Sequence, residues 1–342
     1  MKVWLLDEGT PGHTIQTEGI GKLLSSRESV ASTTIRCRLR LRGWKRGLTR
    51  WKVGRAQAGR ALQFARQLYP GLVIPDVREV DLIVSSCGKS AYLNRLLSRE
   101  FGARSIFIGE LKPFPEDWFD LIITPVEARG PNELQIPVIE TGRTPESCKD
   151  AAKIFWKGSV PERCWTVLIG GTSRTHPFVE QDWIGLAGGL NTLSEKFGIR
   201  WLVSTSRRTG RKAENILKSR LSHEALEEAI WWGDDPKKVV GAFLGAGERI
   251  FVTQDSLTMM SEALAVGKRA ELLRPASWDM PEESFNGRYV SRLVSEDFVG
   301  RHDIAKLPNY QPVGDGKVLL DPLKEEFSRR LLLWLKSGSL EG

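Results

Sequence analysis

From Ser29 to Pro75 the chain contains no aspartate or glutamate. The same segment carries eleven positive side chains: Arg36, Arg38, Arg40, Arg42, Lys45, Arg46, Arg50, Lys52, Arg55, Arg60 and Arg66. With the whole chain at +8, the remainder stands at −3. One region supplies the basicity, which points to a local anionic partner. Cysteine is also scarce. Cys37, Cys87, Cys148 and Cys164 are scattered without a CxxC pair, which suits a reduced, cytoplasmic compartment. The four cysteines and four histidines form no ligand-spaced cluster, so no metal is expected. No run of eighteen uncharged apolar residues occurs, so no transmembrane helix is expected. The opening MKVWLLDEGTPGH is interrupted by Asp7 and Glu8 and does not read as a signal peptide.

What is present is the composition of a globular protein, 41% apolar and 27% charged with 12 tryptophans, in 342 residues, long enough for two domains. Strand and helix patterns alternate. Lys2–Asp7 reads as a buried strand and Thr17–Leu24 as the following helix. TTIRCRLRLR alternates strictly, with Ile35, Cys37, Leu39 and Leu41 against Arg36, Arg38, Arg40 and Arg42, which suits an edge strand. GRAQAGRALQFARQLY reads as one helix. DLIVSS, SIFIG and DLIITP are short β-branched runs that suit a parallel sheet. A second series begins at WTVLIGG: a helix over 180–196, the strand RWLVSTS, a helix over 211–221, a strand at AIWW, a helix near 237–246, the strand RIFVTQ and a further helix. Each half therefore reads as a doubly wound α/β domain. The polar link TGRTPESCKD and the turn KGSVPER put the boundary near 145–163. The expected domains are 1–150, 160–318 and a final helix within 319–342, with Leu323, Phe327, Leu331 and Trp334 as its apolar stripe. In such a pair of domains, ligands are expected where the carboxyl ends of the two sheets face each other across a cleft.

Three loops after strands of the second half suit phosphate. In GGTSRTHPF, Gly170 and Gly171 permit close backbone approach, and Thr172 and Ser173 add hydroxyl donors. A plain turn is the alternative. In STSRRTGRK, Arg207, Arg208, Arg211 and Lys212 suit a diphosphate, or a solvated helix start. In VTQDSLTMMSEALAVGK, Asp255 or Ser256 caps a helix whose amides at Ser256, Leu257 and Thr258 form an anion site. Glu262 follows Ser256 by six residues, about 9 Å of rise, which suits a ribose diol beyond the phosphates. The alternative is a capped surface helix. In WWGDD, Trp231, Trp232 and Gly233 suit a base pocket, although tryptophan in a core strand is the simpler account for one of them. Asp234 and Asp235 are adjacent rather than spaced, so they imply no metal.

In the first half, His13 lies on the loop EGTPGHTIQ, where it suits a general base or a capping role. SSCGKSAY ends like a phosphate-binding GKS loop, but the required first glycine falls at Ile83, so that reading fails. Gln16, Ser86 and Lys89 remain candidates for the acceptor side. Arg38, Arg40, Trp44, Lys45, Arg46 and Trp51 mix cations with aromatics, which suits an anionic membrane or a lipid-linked acceptor. Nucleic acid is the rival, but no nucleic-acid motif accompanies the patch, so none is expected. A solvated arginine face is the plainest account.

GHTIQTEGIGKLL, LIGGTSRTHPF, STSRRTG, WWGDDP and VTQDSLTMMSEALAVGK together resemble the elongated-mitochondria family of plant fission factors and their bacterial homologues, which in turn resembles the GT-B glycosyltransferases. The resemblance implies a GT-B-like α/β fold and a nucleotide-sugar substrate, UDP- or another NDP- or CMP-sugar, with no separate cofactor. DSLTMMSE is similar to the stretch with which the peptidoglycan GlcNAc transferase meets diphosphate and ribose. That match implies phosphate at Ser256, Leu257 and Thr258 and ribose at Glu262, with His13 where GT-B enzymes place a base. Two departures stand out: after DLIITP the family shows a Pro-Glu-His-Asp-like run where this chain has VEARGPN, and the basic tryptophan-containing segment is richer than the resemblance implies. The implied activity is metal-independent glycosyl transfer to an envelope-associated acceptor at the inner face of the cytoplasmic membrane. Nucleotide-sugar epimerisation and a non-catalytic membrane adaptor are the alternatives.

Overall fold

The computed structural model describes residues 1–41, 45–75 and 79–340. Arg42 and Trp44 lie outside the described residues. The chain forms two compact units, Met1–Gly142 with Asp321–Gly342, and Arg143–Leu320. Each is built around one parallel six-stranded sheet.

Unit 1 begins with β1 (Lys2–Asp7), α1 (Pro11–Arg27) and β2 (Ala31–Arg36), followed by α2 (Arg46–Gly54) and α3 (Ala61–Leu68). It continues through β3 (Leu82–Ser86), α4 (Gly88–Phe101), β4 (Arg104–Ile108), β5 (Leu121–Thr124) and β6 (Glu133–Gln135). The strand order is β2-β1-β3-β4-β5-β6. The central strands are apolar runs with both faces covered: all of Leu82–Ser86 is buried, as is Leu121–Thr124. Because the chain leaves β1 for β2 on one side and then crosses to β3 on the other, the switch point of this sheet lies between β1 and β3.

Two local expectations are corrected here. β2 is the edge strand, but it stops at Arg36, because β1, its partner among the described residues, ends at Asp7. The alternation persists beyond the ladder: Ile35 and Cys37 are buried, Leu39 and Leu41 pack on the core, and Arg36, Arg38 and Arg40 are exposed. The single helix expected over 54–69 is reduced to α3, Ala61–Leu68. α2 ends at Gly54, Gly59 takes a positive φ of 83°, and the amides of Gly59 and Leu62 donate to the Glu100 carboxylate at 2.9 and 3.2 Å.

Unit 2 opens with α5 (Pro145–Phe155), within what reads as a polar link. Thr144 and Ser147 close a reciprocal cap around its first turn, which is why the segment is helical. There follow β7 (Cys164–Leu168), α6 (Glu180–Phe197), β8 (Arg200–Ser204), α7 (Gly210–Arg220), β9 (Leu226–Ile230) and α8 (Val240–Ala246). β10 (Ile250–Thr253), α9 (Leu257–Ala265), β11 (Ala270–Arg274), α10 (Phe285–Ser295) and β12 (Val299–Asp303) complete it. The order is β12-β11-β10-β7-β8-β9, so the switch point lies between β7 and β10. β9 ends at Ile230, before the tryptophan pair, so Trp231 and Trp232 stand in the turn. Lys268, after α9, is largely buried and donates to the carbonyls of Leu244 (2.6 Å) and Gly247 at the end of α8; it caps that helix.

The last helix, α11 (Asp321–Ser337), belongs to unit 1. Phe327, Leu331 and Trp334 are buried against Val3, Leu5 and Ile20, whereas Leu323 is 43% exposed and falls outside the stripe. Arg104 secures the helix end through the Trp334 and Leu335 carbonyls at 3.1 and 2.7 Å. Among the described residues no helix is long and apolar enough to cross a membrane.

Candidate functional sites at two switch points

At the switch point of unit 2, three loops interlock. The Gly170 amide donates to Thr253 Oγ1 at 2.7 Å, tying the loop after β7 to the end of β10. Ser206 and Thr209, from the loop after β8, donate hydroxyls to the Gly170 carbonyl, Thr209 at 3.0 Å. A Cβ on Gly170 would come within 2.3 Å of Asp255 Oδ2, and one on Gly171, whose φ is +130°, within 2.4 Å of the Arg208 carbonyl carbon. The two glycines are needed for loop–loop contact, before any phosphate is considered.

Arg208 reaches across this turn to Asp255, Nη2 to Oδ2 at 2.8 Å, with the guanidinium 42% exposed and the carboxylate fully covered. Neither Asp255 oxygen has a well-aligned hydrogen-bond donor. Burial pushes its pKa up to about 6, against the pull of Arg208. Ser256 holds the cap position of α9 without a side-chain cap, and its amide bonds the Thr253 carbonyl at 3.0 Å. The anion-suited amides are therefore those of Leu257 and Thr258, in the first turn, where no intrahelical acceptor exists. Glu262 is buried, and its Oε1 accepts from Arg143 Nε at 2.6 Å. The carboxylate thus offers a ligand one oxygen beside a cation, rather than two free ones.

The remaining predicted residues divide. Thr172 and Arg207 are exposed. The Ser173 hydroxyl accepts from the His176 amide at 3.1 Å, inside its own loop. Lys212 pairs with Glu180 at the surface. Trp232 is 45% exposed and free to stack. The Gly233 amide is not available to a base: it donates to both oxygens of the buried Glu214, which also binds Thr205 at 2.6 Å.

Three residues of this region escaped the sequence reading. His176 is buried, its Nε2 has no partner, and its ring lies parallel to Trp278. Burial lowers its pKa, helped by Arg274 and Arg208, so it is neutral. Gln254 is buried with both ends of its amide unpartnered. Arg274, over the Trp278 ring at 4.8 Å, keeps an unpartnered Nε. The available signals were the histidine inside GGTSRTHPF and the polar Gln254 ending an apolar strand.

At the switch point of unit 1, His13 lies in the first turn of α1, and its Nδ1 is 2.7 Å from Glu8 Oε1. Burial disfavours the imidazolium, but hydrogen bonds to Cys87 and Glu8 overcome that and raise its pKa to about 10. Cys87, at the start of α4, is a non-glycine residue with φ +65°. Gln16 accepts from Ser86 at 2.8 Å. His13, Gln16 and Ser86 are thus brought together as expected candidates, with Glu8 and Cys87 as unforeseen partners. Lys89 is exposed beside them, on the first turn of α4. Arg38, Arg40, Lys45, Arg46 and Trp51 follow β2 instead. Among the described residues no three His, Cys, Asp or Glu side chains are grouped to hold a metal ion.

The family model for mitochondrial fission ELM1 matches residues 11–316. The chain is 26% identical over 143 residues to the mitochondrial fission protein ELM1 of Arabidopsis thaliana, a match covering 41% of this chain and 32% of that one. It spans less than half the length of the curated relatives it matches. Among solved structures it is similar to the UDP-GlcNAc 2-epimerase of Methanocaldococcus jannaschii, with TM-score 0.58 and 10% identity over 98% of this chain and 100% of that one. The UDP-GlcNAc 2-epimerase of Neisseria meningitidis, bound to UDP-GlcNAc, gives TM-score 0.50 and 12% identity over 98% and 100%. The fold is α/β and GT-B-like.

Proposed function

The chain belongs to the mitochondrial fission ELM1 family, and we propose that it is a nucleotide-sugar enzyme whose unit 2 holds the nucleoside diphosphate at the β7–β10 switch point. The observation that carries this reading is the convergence there of Arg208, the open first turn of α9 and the Gly170–Gly171 turn. Arg207 and Arg208 neutralise the diphosphate, the amides of Leu257 and Thr258 bind its oxygens, Glu262 meets the ribose, and Trp232 stacks on the base. The reaction is metal-independent glycosyl transfer: the same cations stabilise the departing diphosphate as its charge develops. The acceptor is an envelope-associated lipid or saccharide handled by unit 1, where the Glu8–His13 pair supplies acid–base chemistry. An imidazole with so high a pKa is protonated near neutrality, so its use as a base makes turnover rise with pH.

A second reading, a non-catalytic membrane adaptor, draws on one observation: Arg208 and Glu262 already have partners in Asp255 and Arg143. Proton NMR of a nucleotide sugar with the protein separates the possibilities. Sugar loss that depends on an acceptor and disappears in an Arg208→Ala, Glu262→Ala variant supports transfer. Conversion without an acceptor assigns an epimerase. Transfer retained by the double variant removes the proposed site, and an inert nucleotide sugar favours the adaptor.

A further inference from the structure

The acid-free segment folds into two helices with a groove against them. The groove, about 500 Å3, is lined by Trp51, Lys52, Arg55, Arg60, Phe64 and Gln67 among others, and none of its lining residues is acidic. In α2, Thr49 and Val53, four apart, are buried. Leu48 and Trp51, three apart, lie outward at 59% and 56% exposure. The Arg55 guanidinium covers one face of the Trp51 ring, 4.3 Å from its centroid. Glu100, the carboxylate that reaches α3, is engaged with the backbone amides of Gly59 and Leu62. Among the described residues, Lys52, Arg55 and Arg60 form no ion pair.

We propose that α2 and α3 dock on an anionic lipid bilayer, with Leu48 and Trp51 entering the headgroup layer and Lys52, Arg55 and Arg60 holding a lipid phosphate in the groove. An exposed aliphatic–tryptophan pair among unneutralised cations is the pattern that combines apolar insertion with attraction to anionic headgroups. Single-stranded nucleic acid fits less well, because it needs a run of open aromatic faces, and among the described residues of α2 and α3 one face of Trp51 is taken by Arg55. The proposal deepens the envelope-associated reading by naming the surface that meets the lipid. It does not depend on the nucleotide site: nucleotide binding and vesicle binding are measured separately, so either can fail alone.

The test is flotation of the full chain with vesicles of phosphatidylcholine alone or with about a third phosphatidylglycerol. Binding to the anionic vesicles only, weakened by salt, is expected. Lys52→Glu, Arg55→Glu, Arg60→Glu together should lower partitioning roughly a hundredfold, and Trp51→Ala about tenfold. All four side chains are exposed, and an unchanged melting temperature checks the fold; should a variant not fold, the lipid and salt dependence of the unaltered chain decides. Equal binding to neutral vesicles, no binding to anionic ones, or full binding by the triple variant overturns the proposal. So does displacement by soluble glycerophosphate, which would mean that the groove reads a free phosphate. Tighter binding of a single-stranded oligonucleotide than of vesicles overturns it in favour of nucleic acid.

Discussion

The loops that follow the first strand of each sheet solve different problems. In unit 1 the loop after β1 leads into a proton-holding cluster, with His13 against Glu8 and Cys87, and its Gly9, φ +78°, has nothing within 4 Å of a built Cβ. In unit 2 the loop after β7 is wedged between Asp255 and the Arg208 backbone, two residues that pair with each other across it. Two doubly wound sheets thus carry one switch point built around the His13 proton and one built around close packing of loops. The strand orders differ as well, with one strand beyond β1 in unit 1 and two beyond β7 in unit 2, and each site takes its side chains from the loops that this order brings together.

The sharpest way to test that contrast is by glycine replacement. Gly171→Ala should cost about 3 kcal/mol or more in denaturant unfolding, since the new methyl meets backbone and φ is unfavourable. Gly9→Ala should cost only about 1 kcal/mol. Similar costs would break the comparison. The next effect in size is that of Asp255. Its folded pKa, about 6, lies above the unfolded value of 3.8. A carboxyl raised in this way contributes stability that is full below pH 3.8 and lost as pH rises through 6. Asp255→Asn lacks that loss, so a gap of about 1–3 kcal/mol in its favour should open between pH 4 and 6. Parallel stability curves would contradict the burial argument.

Arg208→Ala strands the Asp255 carboxylate. We expect a loss of about 1–2 kcal/mol at pH 7.5, reduced because the guanidinium is half in water, and almost none near pH 4. A loss equal at both pH values would indicate that packing, not charge, is what Arg208 supplies. The last prediction concerns unit 1. His13, raised from 6.5 to about 10, contributes stability that is full below pH 6.5 and lost by pH 10. Glu8→Gln should move the His13 imidazole NMR titration down and shrink that loss. An unmoved titration would show that Glu8 does not hold the proton.

Much of this architecture was readable from residue patterns, for a physical reason. Buried parallel strands such as LIIT and IFVT are unbroken apolar or β-branched runs, and the helices between them carry their own periodicity. Reading failed where local pattern and tertiary partner disagree. Alternation continues past Arg36, but the ladder cannot, because β1 has ended. The helical pattern over 54–69 continues across a turn that Gly59 and Glu100 stabilise. The site residues split likewise. Arg208, Ser256 and Glu262 were singled out as candidates by their position after strands. His13 with Cys87, and Asp255 with Gly170, meet only because β1 lies beside β3 and β10 beside β7. His176 and Gln254 are notable for burial without partners, a property no linear motif carries.

The most direct test of the central claim is the melting temperature of the chain with UDP, CMP, GDP, dTDP and ADP, alongside Arg208→Ala. A nucleotide at a hundred times its dissociation constant adds about 2.7 kcal/mol of stability. The account predicts a clear upward shift with one of these nucleotides and its loss in the variant. No shift with any nucleotide, or an equal shift in both proteins, would contradict a nucleotide site at the β7–β10 switch point.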